Sequence, residues 1–124
     1  MDEALRLESP FQKCHRTVAL DTVLGGVHLP AKVLVFLGAA NRDPRKWGDN
    51  ADDFDLNRNA SGHVAFGMGL HQCDGQPTAR LEMEIVLQQL LQRVVAIEPD
   101  GAPVPILHNV LRGFESLPVR ITVG

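Results

Sequence analysis

The chain has 124 residues, 44% of them hydrophobic and 22% charged, with a net charge of −3. That is the size of one ordinary domain, and no basic face invites nucleic acid or an anionic membrane. The longest apolar stretch, residues 33–40, is far too short to span a bilayer, and no charged-then-apolar signal opens the chain, which reads as soluble and cytoplasmic.

Residues 2–8 read as the end of a helix, stopped ahead of Pro10 because a proline disfavours helical backbone at the residue before it. From Thr17 to Ala40, β-branched and apolar residues broken by Gly25-Gly26 and Pro30 predict a hairpin-like pair of strands, the second over 32–37. Residues 41–63 are rich in Asn, Asp and Gly and have no period; such long irregular segments are usually functional or tightly packed. A helix follows, predicted over about 76–95, with Met83, Val86, Leu87, Leu90, Leu91 and Val94 on one apolar stripe and Pro77 in its first turn. A turn at "EPDGAP" leads to short β-like segments around 104–111 and 118–123. One helix and a few strands make a thin core for this length, so the chain reads as part of a larger domain.

"FGMGLHQCDGQ", residues 66–76, holds the chemistry: three glycines, His71 and Cys73 just ahead of the long helix. Orphan N–H groups and the positive dipole end at a helix start favour a thiolate over a thiol. The glycines permit positive φ and close approach of backbone to a flat ligand. A phosphate loop is excluded, since Gln76 and Pro77 stand where Lys and Ser/Thr are needed. A zinc site would have to draw on His71, Cys73, Cys14, His15 and His63, which lack the spacing of known zinc sites. A Cys–His nucleophile pair lacks an orienting partner. A Cys14–Cys73 disulfide is disfavoured in a cytoplasmic chain. Taken alone, Cys73 reads as a small buried residue ahead of a helix.

Cys73 is not alone. "FGMGLHQCDGQPTARLE" resembles the haem-binding signature of the cytochrome P-450 monooxygenases, with Phe66, Gly67, Gly69, His71, Cys73, Gly75, Ala79 and Arg80 all in place. Glu3-Ala4-Leu5-Arg6 matches the family's Glu-x-x-Arg motif, and "FDLNR", 54–58, matches its meander arginine, Arg58. "AANRDP", 39–44, is similar to the segment ahead of the meander, and Arg16 matches a propionate-binding arginine. The tail "LRGFESLPVRI" looks most like bacterial members that oxidise para-substituted benzoates.

The resemblance implies the family's fold, mainly α with small β-sheets, of which residues 1–124 would be the C-terminal portion of a single domain. Haem b would be the cofactor, with Cys73 as thiolate ligand to its iron and electron donation from sulfur favouring O–O cleavage. Phe66 would shield the sulfur, Gly67 would shape the loop, Gly75 and Ala79 would let the helix lie against porphyrin, and Asp74 would stand beside the haem. Arg16 and His71 would hold propionates. Glu3, Arg6 and Arg58 would lock the meander, and Phe11, Cys14 and Leu111 would face substrate. No catalytic side chain is implied within the chain. Asp74 departs from the usual aliphatic residue and, unless it faces solvent, would weaken haem binding or lower the iron potential by repulsion from the thiolate. The implied activity is insertion of one oxygen atom into a small organic substrate, an aromatic acid by the look of the tail. A ferredoxin would be the electron donor, with neither nucleic acid nor membrane as partner. The family's central helix, with its acid–alcohol pair, has no counterpart, so the chain is expected to be inactive alone. A non-catalytic haem-binding module, and a fragment completing another chain, are the alternatives.

Overall fold

A computed structural model describes all 124 residues. They form two compact units: residues 1–65 with 108–112, and residues 66–107 with 113–124.

In the first unit, α1 (Asp2–Glu8) ends at Ser9, which adopts the left-handed conformation (φ 41). Pro10 bars helical backbone at Ser9, and the buried Ser9 hydroxyl donates to Arg6 O at 2.8 Å, fastening the turn. Two antiparallel pairs follow. β1 (Lys13–Thr17) pairs with β4 (Lys32–Phe36), Cys14 opposite Val35 and Arg16 opposite Val33. The first strand thus lies earlier than the sequence pattern predicts. Residues 23–28 instead make their own hairpin, β2 (Val23–Leu24) with β3 (Val27–His28). Gly25 (φ 58) and Gly26 (φ 80) supply the two positive φ values that a tight two-residue hairpin turn demands.

The irregular segment is as aperiodic as its composition predicts, but it is not empty of structure. α2 (Leu37–Ala40) leads into it, and α3 (Pro44–Trp47) starts with Asp43 as cap, whose carboxylate accepts the Arg45 N–H at 2.9 Å. The indole of Trp47 is buried with Ala51 and Ala60 and donates to Ala40 O at 3.1 Å. Residues 108–112 complete this unit: Phe11 and Leu111 form an antiparallel bridge, flanked by Gln12 N–H to Val110 O and Arg112 N–H to Pro10 O, both 2.8 Å.

In the second unit, α4 (Gln76–Arg93) carries Pro77 in its first turn and stops two residues short of the predicted end. Val94 and Val95, β-branched, pass directly into β5 (Val94–Pro99), which pairs antiparallel with β8 (Val119–Val123). β5 escapes sequence reading because its first residues continue the helical stripe. β6 (Val104–Pro105) and β7 (Phe114–Ser116) form a second short pair, so the predicted strand over 104–111 shrinks to two residues. Met83 and Leu90 are half-buried, whereas Leu91 is 82% exposed and no residue of α4 is buried. The stripe is real in sequence but is left largely uncovered within this unit. No helix is long and apolar enough to cross a membrane.

Candidate functional site

Cys73 closes a loop. Its N–H donates to Phe66 O at 2.8 Å, and its carbonyl accepts the Gln76 N–H at 3.1 Å, at the first residue of α4. The thiol is free and solvent-exposed. Gly67 is what lets the loop close: it has φ 76, and a Cβ there would stand 2.6 Å from His71 O. Backbone cannot retreat from that contact, so only glycine fits. Gly75 differs, since a Cβ there would meet only Cys73 Sγ at an ordinary 3.7 Å. The chain itself gives no reason for a glycine at 75. Bare backbone beside a thiol leaves room for a flat ligand to approach. His71 and Asp74 are exposed, Ala79 is half-buried on α4, and Leu70 is 102% exposed at the loop's tip.

Glu3, Arg6 and Arg58 come together in the first unit. Arg6 is fully buried and uses all its donors: Nε to Glu3 Oε2 at 2.7 Å, Nη2 to Glu3 Oε1 at 2.8 Å and Asp53 O at 3.2 Å, Nη1 to Asn41 O at 2.6 Å and Ala51 O at 2.7 Å. Arg58 Nε adds a contact to Glu3 Oε1 at 3.1 Å and reaches Trp47 O and Asn50 O with its other nitrogens. The Arg6 hydrogen bond, foremost, holds the Glu3 carboxyl down at about 2, helped by the Asp55 N–H and Arg58 against the opposing effect of burial. The same pairing raises Arg6. Three spans distant in sequence are thereby pinned to one helix.

Phe11 and Leu111 meet at their bridge, both side chains partly exposed, and Cys14 and Arg16 project from the same face of β1, two residues apart. Arg16 Nη1 donates to the neighbouring His15 O at 2.9 Å. Two buried residues prove central, Asn41, which sequence reading passed over, and His63, which it weighed only as a zinc donor. Asn41 is fully buried; its Nδ2 donates to Ser9 Oγ and its Oδ1 accepts the Val64 N–H, both at 2.8 Å. His63, also buried, takes the Ala65 N–H on Nδ1 at 3.1 Å. Asn41 sits inside the "AANRDP" segment, but nothing in composition marks a buried asparagine; only its partners do.

The donor set bears on what Cys73 could hold. No group of three or more His, Cys, Asp or Glu side chains is placed to enclose a bare ion. One exposed thiol on a glycine-opened loop suits a metal whose other positions are already filled by a flat macrocycle. The Cytochrome P450 family model matches residues 1–123. This chain belongs to the cytochrome P450 family.

The P450 chain is 50% identical over 123 residues to "Cytochrome p450 CYP199A2" of Rhodopseudomonas palustris, covering 98% of itself and 30% of that protein. It is 40% identical to a steroid C26-monooxygenase of Mycolicibacterium smegmatis, covering 98% of itself and 31% of that relative. Among solved structures it superposes on CYP108D1 of Novosphingobium aromaticivorans with a TM-score of 0.91 and 40% identity, over 99% of this chain and 30% of that one. The match to CYP109E1 of Bacillus megaterium bound to testosterone has a TM-score of 0.88 at 35% identity, over 96% and 34%. The P450 chain thus spans about a third or less of the length of these relatives, at 30% and 31% of the first two.

Proposed function

We propose that residues 1–124 form the C-terminal part of a single P450 domain and that Cys73 is its thiolate ligand to haem iron. The observation carrying this reading is the Phe66–Cys73 loop, closed at 2.8 Å around a Gly67 that no other residue could replace. When bound, the haem supplies the redox and oxygen chemistry. The chain's own residues have simpler tasks. With haem in place, Phe66 would help keep water from the sulfur, and loop N–H groups would temper its charge. Gly75 and Ala79 leave the helix face low enough for porphyrin to lie close. Arg16 and His71 bind propionates by charge-assisted hydrogen bonds. Asp74 faces solvent, where water screens its charge from the thiolate. Glu3, Arg6 and Arg58 brace the meander rather than touch substrate.

In a complete domain the reaction is insertion of one oxygen atom into a small organic substrate, with Phe11, Cys14 and Leu111 lining its pocket and a ferredoxin supplying electrons. The tail's likeness to benzoate-oxidising members supports an aromatic acid. Residues 1–124 alone would be inactive.

The test is the reduced carbon monoxide spectrum of the chain expressed with haem supplied. A red-shifted, thiolate-type band in the wild type, lost in Cys73→Ser with haem still taken up, is the expected result. A wild-type spectrum of histidine or protonated-thiol character, or a thiolate band that survives Cys73→Ser, overturns the assignment.

A further inference from the structure

The loop that carries Cys73 is tied at a second place besides its closing hydrogen bond. Arg80, on the second turn of α4, holds its guanidinium carbon 5.7 Å from the centre of the Phe66 ring. A guanidinium within about 6 Å of a ring face is drawn to it. Phe66 is the same residue whose carbonyl accepts the Cys73 N–H. Gln76, one turn before Arg80, stands with its amide 2.6 Å from that of Gln72 and 3.0 Å from Arg80 Nε. One helix-borne cation therefore reaches both ends of the loop, Phe66 directly and Gln72 through Gln76.

We propose that Arg80 is the positioning residue for Cys73: stacked on Phe66, it keeps the Phe66–Cys73 loop closed and sets where the sulfur stands against the first turn of α4. This rests on the reading of Cys73 as the haem ligand. A loop with glycines at 67, 69 and 75 regains much backbone entropy when it opens, so it depends on such fastening. The helix supplies the rigidity and the ring carries it to the loop. A lysine can fill part of the role, because this chain already places Lys46 Nζ 4.6 Å from the Trp47 ring centre.

The experiment follows amide hydrogen exchange at Cys73 by NMR in the 124-residue chain, with Arg80→Met, Arg80→Lys, Phe66→Leu and the Phe66→Leu/Arg80→Met double variant. Arg80→Met should speed exchange at Cys73 about two- to fivefold, the size of one partly exposed cation–π contact. Amides in the later turns of α4 should keep their rates, which a general loss of stability would not allow. Arg80→Lys should recover at least part of the protection, and in the Phe66→Leu background Arg80→Met should change little. An unchanged Cys73 rate in Arg80→Met, or Phe66 and Arg80 effects that simply multiply, overturns the proposal. With haem added, the thiolate-type share of the carbon monoxide complex should fall in Arg80→Met and rise again in Arg80→Lys. If the wild type shows no thiolate band while the exchange results hold, the haem reading falls and the anchoring of the loop by Arg80 stands.

Discussion

Removing the Arg6 guanidinium should be among the most damaging single changes in the chain. Arg6→Ala deletes both hydrogen bonds to Glu3 and strips Asn41 O, Ala51 O and Asp53 O of their donor. The carboxylate left behind is 5% exposed and keeps Arg58 as its charged partner. Breaking a buried ion pair from one side is worth about 3–5 kcal/mol. The lowered Glu3 pKa points the same way: a drop from 4.5 to about 2 corresponds to on the order of 3 kcal/mol in favour of the ionised form, shared between Arg6 first, the Asp55 N–H and Arg58, at about 1.36 kcal/mol per pH unit. Against a typical folding stability of about 5–15 kcal/mol, either value removes a large fraction. Trp47 offers the assay, because it is the sole tryptophan and its ring centre lies 5.3 Å from the Arg6 guanidinium carbon. Urea unfolding followed by its fluorescence should show Arg6→Ala shifted down by about 1–5 M, given a slope of about 1–3 kcal/mol per M. The control is Arg45→Ala, whose pair with Asp43 involves an 89% exposed side chain and should leave the midpoint close to that of the wild type. Equal midpoints for Arg6→Ala and Arg45→Ala would refute the argument that burial, and not the mere count of ion pairs, decides the energy.

Acid should act through the same cluster. The folded Glu3 carboxyl titrates below its ordinary 4.5, so its contribution is complete above pH about 4.5 and is lost as pH falls toward 2. Glu3→Gln should flatten that slope in acid unfolding curves, and an unchanged slope would exclude Glu3 as its source. Glycine substitutions separate two kinds of constraint in the cysteine loop. Gly67→Ala meets His71 O at 2.6 Å and carries a positive φ, whereas Gly69→Ala suffers only its φ of 63 with open space around it. Gly69→Ala should therefore lower stability by about 1 kcal/mol, and Gly67→Ala should cost about 2–3 kcal/mol and abolish thiolate-type haem binding. Comparable haem spectra for the two would show that the contact at Gly67 relaxes. Asn41→Ala should destabilise by about 1–3 kcal/mol, since it leaves the half-buried Val64 N–H without its acceptor and the buried Ser9 hydroxyl without its donor, as thermal unfolding would register.

Much of the cysteine loop was legible because its requirements are local. Positive φ at Gly67 and Gly69, a proline in the first turn of α4 and a thiol just ahead of a helix each follow from residues within a few positions. The Asp43-Pro44 start of α3 is equally local, but it went unread inside a segment that composition marked only as irregular. β5 was not, because Val94 and Val95 satisfy both a helical stripe and a strand, and what chooses between them is β8, about 25 residues further on. The early start of β1 at Lys13 was hidden likewise, for Lys13-Cys14-His15-Arg16 shows no apolar alternation and becomes a strand by pairing with β4.

From its order of residues alone the chain determined its family, the loop that carries Cys73 and the glycine that lets that loop close. Those features depend on steric rules that act over a few bonds. Tertiary structure alone decided that Arg6 would spend all five N–H groups on partners from three parts of the chain, that Asn41 would be buried beneath Ser9 and Val64, and that Arg80 would stack on Phe66. A buried polar group is stable only where every donor finds an acceptor, and which acceptors converge on it is a property of the folded chain.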